Sequence, residues 1–288
     1  MYKSNMVQQS ELMQILLLDN LYTLNRTESI IFQGGTALRW VYGGTRFSED
    51  LDFVTSLPET TLRDILKKVH GKMKNACIAQ FGPGESELRN QGKRENAIKV
   101  FFIYRPEGQR GRIAVKLEFE ALRSGTGLGY EHHVLSDLTP VSGLLTTGKL
   151  ILPYTSTIIP VETAAEIISD KVRALFERPY LKGRDFYDIW WLVTHLKIFP
   201  DIERVKNKLT MYKTSFVYNR QPDFFLTKKG IQSVRKAIVS DLSRFIPQTI
   251  YEHYKKTGFD EMLYILDEVI RKLMQQGIET VLESHATS

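Results

Sequence analysis

This sequence lacks a second cysteine, a Cys/His cluster with zinc spacing and an apolar run long enough to span a bilayer. Among 288 residues there is one cysteine, Cys77, so no intrachain disulfide can form and a reducing, cytoplasmic setting is expected. Cys77 lies in an apolar run read as a short strand over residues 77–81 and is expected in the core. The six histidines are scattered, and no Cys/His cluster has zinc spacing. His132 and His133 are read as part of a polar surface loop. The longest apolar runs, such as residues 13–18, are far too short for a bilayer, so no membrane partner is expected. The first ten residues lack the apolar core of a secretory signal. No internal repeat is visible. What remains is an ordinary globular composition, 42% hydrophobic and 25% charged, enough for one large domain or two.

One stretch, residues 30–54, organises the rest: I-I-F-Q-G-G-T-A-L-R-W-V-Y-G-G-T-R-F-S-E-D-L-D-F-V. Ile30, Ile31 and Phe32 are a short apolar run ending in a turn, as a buried strand requires. Gly34 and Gly35 permit positive φ and close approach of a ligand to the backbone. Thr36 is placed to cap the helix that follows. Free N–H groups at such a helix start suit a phosphate. Asp50-Leu51-Asp52-Phe53 then alternates, so Asp50 and Asp52 share one face of a strand while Leu51 and Phe53 enter the core. Two adjacent carboxylates repel, and their natural counter-ion is a hard divalent cation. A double glycine alone is often only a turn, and D-x-D is common on solvated strands. A phosphate turn facing a carboxylate pair is the minimum for metal-assisted phosphoryl or nucleotidyl transfer.

The charge is uneven. The chain carries +6 overall, but residues 204–256 hold twelve Lys and Arg against three acids. Tyr212, Phe216, Tyr218, Phe224 and Phe225 are interleaved there, which suits phosphates and unstacked bases equally as well as a solvated helical face over an aromatic core. Residues 89–116 form a second basic stretch, eight Lys and Arg against two Glu.

Along the chain, helices are expected over residues 10–24 and 59–74, then a mobile glycine- and charge-rich loop over 82–92. Residues 97–104 and 112–120 read as two strands of a hairpin. On the second, Ile113, Val115, Leu117 and Phe119 take one face, and Lys116, Glu118 and Glu120 the other. Residues 124–129 are a glycine-rich connector without the context of a dinucleotide fingerprint. A strand is expected over 148–152 and a linker over 153–160. Beyond it everything reads helical, giving an α/β (α+β) domain over 1–160 with a mixed sheet and a helical domain over 161–288. Helices are expected at 161–177, around Asp185 and Asp188, at 202–212, 229–245 and 259–282; residues 284–288 are read as a fraying tail. Asp185 and Asp188 are three apart, hence on one helical face.

The string G-G-T-A-L-R-x-x-Y-G…R-F-S-E-D-L-D-F resembles the AbiEii/AbiGii toxins, the toxin half of type IV toxin–antitoxin systems, within the DNA polymerase β-like nucleotidyltransferases. Thr36, Ala37, Leu38, Arg39, Tyr42, Gly43, Arg46, Ser48, Asp50, Asp52 and Phe53 carry the likeness. A second segment, K-x-x-A-L-x-x-R from Lys171 to Arg178 with R-D-x-x-D from Arg184 to Asp188, is similar to that family's second motif. The resemblance implies a nucleotidyltransferase using an NTP with Mg²⁺ or Mn²⁺. It places Gly34, Gly35, Thr36, Arg46, Ser48, Lys171 and Arg184 at the nucleotide, and Asp50, Asp52 and Glu118 at the metal, with Glu120 as the alternative to Glu118. It gives Lys171 with Asp185 or Asp188 a part in completing a site in a cleft between the domains. It further implies an RNA acceptor, a tRNA 3′ end, and a cognate antitoxin. A transferase acting on protein or a small molecule, and a non-catalytic NTP- or nucleic-acid-binding module, are the alternatives.

Overall fold

The structure, a computed structural model, describes residues 4–92 and 96–286. Lys93, Arg94 and Glu95 of the first basic stretch, and residues 287–288 of the polar tail, lie outside the described residues. Two compact units are present, one ending at Glu162 and the other starting at Thr163. Among the described residues no helix is long and apolar enough to cross a membrane.

The first unit is a seven-stranded mixed sheet with helices. In chain order it runs α1 (Ser4–Tyr22), β1 (Ile30–Gln33), α2 (Gly34–Trp40), β2 (Asp50–Thr55), α3 (Glu59–Phe81), β3 (Gly84–Asn90), β4 (Ala97–Pro106), β5 (Ile113–Ala121), β6 (Tyr130–Val134), α4 (Thr139–Thr146) and β7 (Ile158–Glu162). The sheet order is β3-β4-β5-β2-β1-β7-β6, with β2 parallel to β5 and β1 parallel to β7. Alternation on the three central strands decides the core. Phe32, Phe53 and Phe119 align across β1, β2 and β5, with ring centroids 5.6 and 4.8 Å apart. Each is essentially fully buried, and burying each ring stabilises the fold by about 1.5–3 kcal/mol. The opposite face of the same register therefore carries Gln33, Asp52 and Glu118.

Helix α1 packs on α3 and β5 and is bonded to the end of α2 and to the loop before β2. Gln14, fully buried, donates from Nε2 to the Ser48 carbonyl at 2.6 Å and accepts from Trp40 Nε1 at 3.2 Å. Glu11 pairs with Arg39 at 2.8 Å.

The second unit contains α5 (Ala164–Glu177), α6 (Gly183–His195), α7 (Ile202–Thr210), α8 (Lys228–Phe245), α9 (Gln248–Lys256), α10 (Asp260–Gln275) and α11 (Ile278–Ala286). Thr163, Asp201 and Thr227 cap α5, α7 and α8 through their side chains. The stripe of Met262, Ile265, Leu266, Val269, Ile270 and Leu273 on α10 is buried, as its spacing predicts.

Several local expectations are corrected. Residues 77–81 continue α3, because Leu62, Ile65, Leu66, Val69, Met73, Ala76 and Cys77 form one unbroken buried stripe. The expected loop over 82–92 contains the edge strand β3, whose charged residues hide its pairing with β4. No strand forms over 148–152; the strand comes later, as β7, and β6 containing His132 and His133 pairs with it. The expected 259–282 helix breaks at Gly277, which has φ of +86°. Helix α1 starts six residues earlier than its serine-glutamate signal suggests.

One buried acid gives the first unit a pH signature. Asp19 of α1 is fully buried and accepts a 2.5 Å hydrogen bond from Thr157. Burial pushes its carboxyl up from 3.8 to about 6, against the opposing pull of Thr157, the Tyr154 backbone and Lys72. Because the folded pKa lies above the unfolded one, the folded state binds the proton more tightly. Stability therefore falls as pH rises from about 4 through 6, by roughly 1–3 kcal/mol. Thermal denaturation of wild type and Asp19→Asn across pH 4–8 checks this. The variant should lack that decline, so its stability relative to wild type should rise with pH and level off above pH 7.

Candidate active site

In the first unit, strand register brings the acidic groups together. Parallel pairing sets Asp50 beside Lys116 and Asp52 beside Glu118. Glu120 lies opposite Val54, one pleat further from Asp52, so Glu118 is the acid nearer the pair. Lys99 of β4 pairs with Glu118 from the other side. Lys116 Nζ lies 2.9 Å from Asp50 Oδ2 and 2.5 Å from Glu118 Oε1, and Lys99 Nζ hydrogen-bonds Glu118 Oε2. For Lys116, burial disfavours the charge, but hydrogen bonds to Glu118 and Asp50 outweigh it and raise its pKa. For Glu118, burial works to raise the pKa, and hydrogen bonds from Lys116 and Lys99 overcome it and hold the carboxyl below its ordinary value. Neither lysine was singled out from sequence as a site residue, although strand alternation already places Lys116 on the face of Glu118.

The glycine turn abuts this face. Gly34 has φ of +78°, and a Cβ there would lie 2.8 Å from Asp52 Oδ2. A Cβ on Gly35 would lie 2.1 Å from Arg46 Nη2 and 3.2 Å from Ser48 Oγ. Arg46 is buried and also donates to the Phe47 carbonyl at 2.9 Å. Arg46 and Ser48 thus pack against the turn itself. Thr36 is not the helix cap, which is Gln33. It sits inside α2, fully buried, and its hydroxyl donates to the Asp50 carbonyl, tying the turn to β2.

Among the described residues no three acidic, histidine or cysteine groups already converge at metal-ligand spacing. The donor set nevertheless fits a hard cation: carboxylate oxygens, with the Lys116 ammonium standing as a cation between Asp50 and Glu118.

The second unit gathers the other predicted residues. Lys171 Nζ of α5 lies 3.2 Å from Asp185 Oδ1 and 2.9 Å from Asp188 Oδ2 of α6, and Arg178 binds Asp185. Burial would raise the Asp185 pKa, but Arg178, Lys171 and Lys182 hold it far below the usual carboxylate range. Lys182, a residue no motif pointed to, is pushed down to about 8 by burial and by the nearby Arg178, Arg184 and Lys171 charges, against the pull of Asp185. The Arg184 guanidinium lies over the Phe245 ring at 4.1 Å.

The basic, aromatic stretch is corrected in part. Tyr212, Phe216 and Phe225 are core residues, and Lys208 is fully buried between Glu166 and Asp170 at 3.1 and 2.7 Å. These aromatics therefore offer no stacking surface, while Lys206, Lys213, Lys228, Lys229 and Lys255 remain exposed.

Comparison with known proteins gives a family and a fold. A family model described as nucleotidyl transferase AbiEii toxin, type IV toxin–antitoxin system, matches residues 16–275. The chain resembles the crystal structure of JHP933 from Helicobacter pylori with TM-score 0.53 and 17% identity, over 96% of each chain. It also resembles a presumed nucleotidyltransferase from H. pylori with TM-score 0.54 and 17% identity, over 95% of this chain and 98% of that one. At that identity the likeness concerns the fold. No curated protein matches.

Two outcomes follow from the packing. Gly34→Ala should lose about 1–3 kcal/mol in urea denaturation, because its φ is positive and its Cβ would push on Asp52. Asp185→Asn should lose about 3–5 kcal/mol at pH 7, leaving Arg178 and Lys171 under-compensated. Since the folded pKa of Asp185 is depressed, its contribution is present above the unfolded value of 3.8. The gap between wild type and variant should shrink as pH falls below about 4.

Proposed function

The chain belongs to the AbiEii family of nucleotidyl transferase toxins of type IV toxin–antitoxin systems, and from that premise we propose a metal-dependent transfer of a nucleoside monophosphate from an NTP to a tRNA 3′ end. Nucleotidyl transfer follows from the family; the metal, the RNA acceptor and the residue roles are the proposal. The observation that carries it is the register of Asp52 with Glu118 on β2 and β5, beside the Gly34 turn.

Asp50 and Asp52 are assigned to hold Mg²⁺ or Mn²⁺. Such an ion supplies Lewis-acid charge neutralisation on the triphosphate. The Gly34-Gly35 backbone approaches the phosphates, where side chains would obstruct. Arg46, Ser48 and Thr36 keep that turn in shape, Thr36 through its bond to the Asp50 carbonyl. Glu118, held by two ammonium groups, is a weak proton acceptor and suits a charge-placing role better than that of a general base. Within the second unit, Lys171 is assigned to a substrate phosphate, where a compact ammonium suits phosphate oxygens; to bind it, Lys171 exchanges partners with Asp185 and Asp188. Arg184 adds positive charge, with its guanidinium positioned by Phe245. An NTP and a cognate antitoxin are the expected partners in addition to RNA.

Incubation with Mg²⁺, each labelled NTP and total RNA tests the reading. Wild type should label tRNA, and Asp50→Ala and Asp52→Ala should each reduce labelling at least about 100-fold. Undiminished labelling by either variant would remove the carboxylate pair from the mechanism. Label on protein or small molecules, with none on RNA, would replace the tRNA acceptor.

A further inference from the structure

The carboxylate face carries its own cations, and they bear on how many metal ions it takes. Asp50, Asp52 and Glu118 together bring three negative charges to adjacent positions on β2 and β5. Lys116 and Lys99 bring two positive charges to the same place, the sum that one divalent ion would supply. They are placed as ligands would place an ion. Lys116 Nζ bridges the strands, 2.9 Å from Asp50 Oδ2 and 2.5 Å from Glu118 Oε1, and Lys99 engages Glu118 Oε2. Both oxygens of Glu118 are thus bound to ammonium groups. A divalent ion on Glu118 would need to displace one of them, or to sit within a few ångströms of both, where repulsion between charges is strong.

We infer that Lys116, supported by Lys99, is a built-in cation that takes the place of a second metal ion, so that this face binds a single divalent ion through Asp50 and Asp52. This deepens the metal-dependent reading above and rests on it. Glu118 then serves as the anchor of the two lysines, a positioning residue, and not as a metal ligand. Before nucleotide binds, the three carboxylates, the two lysines and one divalent ion leave a net charge of +1, whereas a second ion with both lysines in place would raise it to +3.

Mn²⁺ binding to the full chain without nucleotide, followed by electron paramagnetic resonance, decides the matter. Wild type should bind one Mn²⁺ per chain, and Asp52→Asn should abolish it. Glu118→Gln should retain one ion with affinity within about threefold of wild type. The pair Lys99→Met with Lys116→Met should take a second ion, or bind the first about fivefold or more tightly. The pair Lys99→Arg with Lys116→Arg, which keeps the charge, should bind one ion as wild type does. Circular dichroism establishes folding of each variant; should the methionine pair not fold, Glu118→Gln and the arginine pair decide. Two ions on wild type, loss of the ion in Glu118→Gln, or unchanged binding in a folded methionine pair would overturn the inference while leaving metal dependence intact. No Mn²⁺ on wild type would overturn the metal reading and this inference with it.

Discussion

The parallel register of β2 on β5 is the constraint on which the first unit depends. It sets Asp52 beside Glu118 and Asp50 beside Lys116, and on the reverse face it stacks Phe53 on Phe119. A slip of one residue would send the acids into the core and the rings into solvent. The aromatic stack therefore fixes the position of the charged groups, and the charged groups in turn must tolerate one another. Lys116 and Lys99 meet that second requirement, each from a strand that the sheet order brings alongside.

Around this face the glycine turn is held by groups that have little freedom. Gly34 and Gly35 leave no space for a side chain against Asp52 and Arg46. Thr36 bonds the Asp50 carbonyl, and Gln14 reaches from α1 to the Ser48 carbonyl. Such a turn is preorganised, with its ordering cost met on folding and not on nucleotide binding. The helical unit has its own ionic centre. There Lys171 and Arg178 meet Asp185 and Asp188, and burial together with crowding of like charge depresses Lys182.

Much of this was legible in the sequence because period-two alternation and glycine punctuation are local signals. They placed Asp50 with Asp52, Phe53 in the core and Glu118 on the polar face of its strand, and the resemblance supplied the family. Through-space features were not legible. Nothing local shows that Lys99 reaches Glu118, that Lys182 lies among Arg178, Arg184 and Lys171, or that Asp19 meets Thr157 across the fold. Thr36 looked like a helix cap because threonine after a turn usually is one; the helix begins earlier, at Gly34, and turns the hydroxyl toward β2 instead. The strand β3 is hidden by its charges, and Tyr212, Phe216 and Phe225 are ambiguous without their burial.

Everything proposed for this face turns on one divalent ion and a bridging ammonium sharing it. An anomalous difference map from crystals soaked in Mn²⁺ reads this directly. A single peak is expected against the Asp50 and Asp52 carboxylates, with Lys116 Nζ still between Asp50 and Glu118. A second peak on Glu118, with Lys116 and Lys99 turned away, would contradict it.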